Sequence, residues 1–239
     1  MKKYLFLDRG LFNGRYMTNA KVELASIQKE GTVFFREDFF ADPPRKWEVR
    51  YDNGYPNVLY DSKEKIYRCY YTLFIHDRDS ENTPLKERAA KTYVPGSDRV
   101  TALCYACSTD GIHWEKPELG LVDFKGNKRN NILYAYVHGT GVFLDEEEPD
   151  PNRRYKLVTK VDYAPGCGYM AVGFSADGIH FGELKKWTGG QPRADTHNFV
   201  FREERTGRFV LITRVWKNGQ RIAARCESSD FLNLSLIHI

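Results

Sequence analysis

A chain of 239 residues is long enough for one large domain or two small ones, with a core of its own. Its 36 basic and 32 acidic side chains leave a formal net charge of +4 with no dense Lys/Arg stripe, so nothing points to nucleic acid as a partner. No apolar run reaches the length of a membrane span, and 14% aromatic residues (Tyr 15, Phe 15) favour strands over helices.

The chain opens Met1-Lys2-Lys3-Tyr4-Leu5-Phe6-Leu7, the start of a signal-peptide pattern. Asp8 and Arg9 interrupt it before an adequate apolar stretch, and no small-residue cleavage site follows, so a soluble cytoplasmic protein is expected. A first strand is predicted over residues 57–61, a charged turn over 62–65 and a second strand from Ile66 to Tyr71. The connector from Ile75 to Arg99 is long and highly charged and ends in Pro95-Gly96-Ser97. A loop of that length without a regular pattern is commonly functional or disordered. Cys104 and Cys107 have the Cys-x-x-Cys spacing but lie in an apolar strand-like run. Alternation puts them on opposite faces, which argues against chelation or a redox pair. The five cysteines are an odd count, which argues against a complete disulfide framework, and no metal or cofactor is expected.

The strongest signal is a repeat. Ser108-Thr109-Asp110-Gly111-Ile112-His113-Trp114 returns as Ser175-Ala176-Asp177-Gly178-Ile179-His180-Phe181, and more weakly as Ser228-Ser229-Asp230-Phe231-Leu232. A strand, a charged turn and another strand precede each copy: 57–71, 141–158 and 198–212. The expected fold is all-β, a partial β-propeller of about three four-stranded blades out of five. A β-sandwich is the runner-up, but it does not explain the repeated turn. Three parts are expected. Residues 1–46 form an N-terminal segment that could close the propeller, and 47–234 form the incomplete propeller. The run 235–239 lacks the pattern and resembles the spurious end of a metagenomic gene fragment, so it is read as a non-native tail.

The Ser-x-Asp-Gly turn has a local explanation. Ser and Asp side chains accept from backbone N–H groups two residues on, and Gly supplies a positive φ. Asp110, Asp177, His113 and His180 are therefore read as scaffold. Strands in a blade alternate in direction, so these turns occupy one rim and the entries to the first strands occupy the other. The entries are Trp47 to Asn57, Ala135 to Thr140 and Arg193 to Asn198. Counted from the strand ends Asp61, Asp145 and Arg202, His138 and Asp195 stand at one height, and Asn57, Gly141 and Asn198 at another. Turn chemistry also accounts for such segments: Asp195 could cap a turn, and Asp52 could pair with Arg50 or Lys46. Convergence of Asp, His and Asn from separate blades is the functional alternative.

Several runs carry a resemblance. They are Asn53-Gly54-Tyr55-Pro56-Asn57-Val58-Leu59-Tyr60-Asp61, the run from Tyr105 to Gly120, Arg154-Tyr155-Lys156, and Asp195-Thr196-His197-Asn198. Together they resemble a branch of the five-bladed fructosidase/arabinanase glycoside hydrolase clan, of the family 32/43 type. The resemblance implies a hydrolase of O-glycosyl bonds acting on a carbohydrate, with paired carboxylates in a central funnel. In fructosidases an Asn-Asp-Pro-Asn motif holds the nucleophile; here Pro56-Asn57 match but Tyr55 stands at the Asp position. The nearest carboxylate is Asp52, which takes the nucleophile or base role. Arg193-Ala194-Asp195 matches the family's Arg-Asp-Pro motif only with one residue inserted, and Asp195 takes the role of stabiliser. Asn53, Tyr55, Asn57, Arg99, His138, His197, Asn198, Arg214 and Trp216 are the candidate substrate-binding residues. The general acid is expected on a later blade. The alternatives are a non-catalytic carbohydrate-binding propeller and, third, a protein-interaction propeller.

Overall fold

The computed structural model describes residues 26, 45–51, 54–88, 90–92, 98–163, 167–189, 194 and 196–238. Apart from Ser26, Arg45 and Lys46, the N-terminal segment 1–46 lies outside the described residues, as does the closing role expected of it.

Strands form because apolar and polar residues alternate, and their burial follows the alternation. In β1 (Asn57–Asp61) every second side chain is exposed. β2 (Ile66–Asp77) is buried almost throughout and β3 (Arg99–Ser108) from Ala102 to Ala106, because both of their faces are covered there. With β4 (Ile132–Ala135) they make an antiparallel sheet in the order β1-β2-β3-β4. β5 (Val137–Leu144), β6 (Tyr155–Val161), β7 (Tyr169–Ser175) and β8 (Lys185–Lys186) make the second sheet in the same order. The third runs β10 (Phe199–Arg202), β11 (Phe209–Lys217), β12 (Gln220–Ser228) and β13 (Asn233–His238). A two-residue strand, β9 (Thr188–Gly189), joins its outer edge in parallel with β13. These sheets are the three expected blades of a partial β-propeller.

One core lies between the first two blades and includes Tyr70, Tyr105, Val142, Tyr155, Leu157 and Phe181. A second lies between blades two and three and includes Val158, Val172, Trp187, Val200, Leu211 and Phe231. A third covers the other face of blade one with Cys69, Tyr71, Leu73 and Cys104, flanked by Trp47 and Trp114. Cys104 lies in this third core while Cys107 packs on the first, so alternation does separate the two thiols; burial raises the pKa of each.

The Ser-x-Asp turns are built alike. Ser108 Oγ accepts from the Gly111 amide at 2.8 Å, and Asp110 Oδ1 accepts from Ile112 and His113 at 2.8 and 2.7 Å. Ser175 and Asp177 repeat these bonds. In the third copy Phe231 takes the positive φ (65°) that Gly111 and Gly178 take elsewhere. Asn233 Nδ2 donates to Asp230 at 2.6 Å, where His113 and His180 face Asp110 and Asp177.

Charged clasps join the blades. Arg154 of blade two donates both terminal nitrogens to buried Asp61 of blade one, at 2.7 and 2.6 Å, and the Tyr155 hydroxyl adds a third bond. Arg202 of blade three grips Asp145 of blade two, which also meets fully buried Lys156 at 2.8 Å.

One detail differs from expectation. The connector after β2 contains two four-residue helices, α1 (Arg78–Glu81) and α2 (Leu85–Arg88). Ser80 is buried and its hydroxyl donates to Asp77. Residues 233–238 pair with β12 as the fourth strand of blade three, and Leu234 is buried in the second core. Among the described residues no helix is long and apolar enough to cross a membrane.

Candidate functional site

Strand register fixes which entry residues are equivalent. Tyr67, Tyr155 and Phe209 each face the Ser of their own turn. On that frame Asn57 pairs with Tyr70, Gly141 with Val158 and Phe199 with Ile212. The third-blade partner of Asn57 and Gly141 is therefore Phe199. The count that gave Asn198 was short by one residue, because the strand-end acid of blade three is Glu203, not Arg202. Glu203 N bonds Arg208 O just as Asp145 N bonds Arg154 O. His138 accordingly matches Thr196.

The entries of blades one and two also carry a kink. In blade one the Thr72 amide donates to Gly54 O at 2.7 Å, one residue out of register, and Tyr55 takes φ 42°. In blade two the register slips between His138 and Gly141, and Gly139 takes φ 63°. These are β-bulges, which re-aim side chains at a strand end. Tyr55, Gly139 and His197 share one position, with His138 and Thr196 one residue before.

The three entries meet. The Tyr55 and His197 rings stack at 5.8 Å between centroids, and His138 meets Tyr55 edge-on at 6.1 Å. Thr196 Oγ1 lies 3.5 Å from the Tyr55 hydroxyl. His197 has a backbone hydrogen bond with Thr140, while its Nδ1 is buried with no hydrogen-bond partner. Burial lowers its pKa, so the imidazole is held neutral. An aromatic plate beside two imidazoles and a hydroxyl can stack on an apolar face and hydrogen-bond polar groups at its edge.

Backbone contact permits this convergence. A Cβ on Gly139 would stand 1.9 Å from Thr196 O, and one on Gly141 would stand 1.7 Å from Asn198 O. Only glycine fits at either place.

The remaining candidates are placed as follows. Asn57 and Asn198 join blades: Asn57 Oδ1 accepts from Val142 N at 2.6 Å, and Asn198 Nδ2 donates to Gly139 O at 2.7 Å. Asn198 is fully buried, and its Oδ1 accepts from Thr213 at 2.7 Å, so its amide is engaged within the protein. Arg99 opens β3, its guanidinium 5.3 Å from the Phe74 ring. Trp216, near the end of β11, is 52% exposed beneath Arg221, and Arg214 lies two residues before it. Asp52, Asn53 and Asp195 lie outside the described residues. Thr196 and Gly139 were not singled out from sequence; the corrected register is the signal that finds them. No group of three metal-ligating side chains occurs among the described residues.

Fold and site together define a three-blade segment of a β-propeller. No family model matches the chain, and no curated protein matches it. Solved structures do. An N-acetylgalactosamine deacetylase from F. plautii, in complex with blood group B trisaccharide, is similar at 13% identity and TM-score 0.50, over 76% of this chain and 50% of that one. Fructofuranosidase from Schwanniomyces occidentalis, complexed with fructose, is similar at 14% identity and TM-score 0.46, over 77% of this chain and 33% of that one. Zg3597, a family 117 glycoside hydrolase produced by Zobellia galactanivorans, is similar at 16% identity and TM-score 0.44, over 74% and 52%. The chain thus spans about half or less of the length of each. At these identities the likeness is one of fold alone.

Proposed function

We propose that this chain is the three-blade part of a carbohydrate-processing propeller of glycoside hydrolase type, with its sugar held over the strand entries. The observation that carries the reading is the meeting of Tyr55, His138, His197 and Thr196, delivered by three separate blades. Tyr55 would stack on a sugar face, and His138 and Thr196 would hydrogen-bond hydroxyls. Asp52 and Asp195 belong to the same two entry segments in sequence. Hydrolysis needs two carboxyl groups across the scissile bond, and we assign Asp52 as nucleophile or base and Asp195 as stabiliser. The general acid would come from a further blade.

The test uses the whole protein with its ring complete. Tyr55→Ala should weaken binding of a mono- or disaccharide, read by calorimetry, by about two- to tenfold, since aromatic contacts are worth about 0.5–1.5 kcal/mol beyond burial. Asp195→Asn should abolish turnover of an aryl glycoside panel while leaving sugar affinity largely intact. Absence of sugar binding, or binding indifferent to Tyr55→Ala, overturns the proposal. A second reading, carbohydrate binding without catalysis, is favoured by Tyr55 itself, which stands where the fructosidase motif has its carboxylate. It predicts sugar affinity without turnover in the unmodified protein.

A further inference from the structure

Blade two is packed between blades one and three, so what it exposes is exposed with both neighbours in place. Its outer part carries a groove of about 750 Å³, lined by Tyr163, Tyr169, Glu183, Leu184, Lys185 and Lys186. That volume is in the range of small-ligand sites. The walls are held in place. Lys185 and Lys186 pair with Val172 and Ala171 of β7, and the Tyr134 hydroxyl of blade one donates to Gly182 O at 2.5 Å just before them. On the other wall Asp162 ties Lys160 at 2.8 Å, and its amide donates to the Tyr136 carbonyl at 2.8 Å.

Register places this groove on the rim of the strand entries. His138 pairs with Lys160, and Lys160 with Met170, beside Tyr169. Strands about 4.8 Å apart put β8 about 14 Å outward from β5 and His138. Tyr136 bridges that span: it precedes His138 by two residues, bonds Asp162 beside Tyr163, and is 45% exposed. Inside the groove Tyr163 is 57% exposed and meets Tyr169 edge-on at 6.4 Å, and the Lys186 ammonium stands 5.5 Å from the Tyr169 ring. Neither Lys185 nor Lys186 meets a carboxylate among the described residues, whereas Lys160 is committed to Asp162.

We propose that this groove is a second saccharide subsite, taking a uronate-bearing unit of a glycan whose other end lies over the strand entries. The inference rests on the carbohydrate reading above for that inner end alone. Tyrosine rings take the apolar face of a sugar, the two ammonium groups meet its carboxylate, and Glu183 accepts from hydroxyls. The ligand is then an acidic oligo- or polysaccharide, long enough to span the blade.

Affinity electrophoresis of the whole protein through gels containing polygalacturonate, alginate or neutral galactan tests this. Retardation by at least one acidic polymer, and less by galactan, is expected. Tyr163→Ala should raise the dissociation constant about two- to tenfold, and Lys186→Gln about two- to fivefold, with the fold checked by circular dichroism. Lys128→Gln, an equal charge change at an exposed site on blade one, should leave it unchanged. Tyr163→Ala should not alter monosaccharide binding, which Tyr55→Ala reads, and it should still weaken polymer binding in the Tyr55→Ala background. Loss of the monosaccharide effect alone would therefore sink the inner site and spare the groove. Free migration in both acidic gels overturns the groove. So does retardation indifferent to Tyr163→Ala, or equally sensitive to Lys128→Gln and Lys186→Gln.

Discussion

At the scale of single residues, His197 and Asp61 show opposite responses of charge to burial. Burial lowers the His197 pKa from 6.5, so the unfolded chain binds that proton more readily than the folded one. Its contribution to stability is complete above pH 6.5 and is lost as pH falls below it. Thermal melts should show a falling midpoint between neutral pH and pH 5, and His197→Phe should flatten that fall. Asp61 is fully buried yet held well below the usual carboxylate range by Arg154 and Tyr155, even though desolvation opposes it. Its contribution persists until far more acidic pH, so the two effects are separable. Asp61→Asn would leave Arg154 without its counter-charge and should cost about 3–5 kcal/mol in denaturant unfolding. Residue types at the site were legible because strand entries rich in Asn, His and Asp stand out. Their individual tasks were not, because the same asparagine amide can face a ligand or bridge two blades. Asn198 bridges.

At the scale of elements, the Ser-x-Asp turns were legible because their chemistry is local: two side chains and a positive φ suffice. The third copy was harder to read, since Phe231 replaces Gly and Asn233 replaces His while every bond survives. The register of blade three was misread by one residue because its strand-end acid is Glu203, whereas blades one and two use Asp. A one-residue slip exchanges the faces of a strand, so the error moved the inferred partner of His138 from Thr196 to Asp195. The bulges at Tyr55 and Gly139 were not legible, because they depend on the path of the neighbouring blade. Gly141→Ala tests that dependence. The added methyl group would meet the Asn198 carbonyl, which belongs to another blade's backbone and cannot yield as a side chain would. A loss of about 3 kcal/mol is expected in denaturant unfolding, the upper end of overpacking costs. Near-neutrality would show that the entry of blade three is free to shift.

At the scale of the whole molecule, three repeated units were enough to give the blade architecture, because each unit contains its own strands, turn and apolar faces. What binds the units together was hidden. Arg154 and Asp61 lie far apart in sequence, and β9 is only two residues long. β9 has a consequence for synthesis. Trp187 follows the last strand of blade two, yet its indole donates to the Phe231 carbonyl at 3.1 Å, and Thr188 and Gly189 lie along Asn233 and Leu234. A nascent chain emerging from the ribosome can complete the strands of blade two at Lys186. The tryptophan that follows completes its burial only some forty-five residues later, when the fourth strand of blade three arrives. The exit of one blade thus waits on the finish of the next, and the fourth strand of blade three is the latch for both.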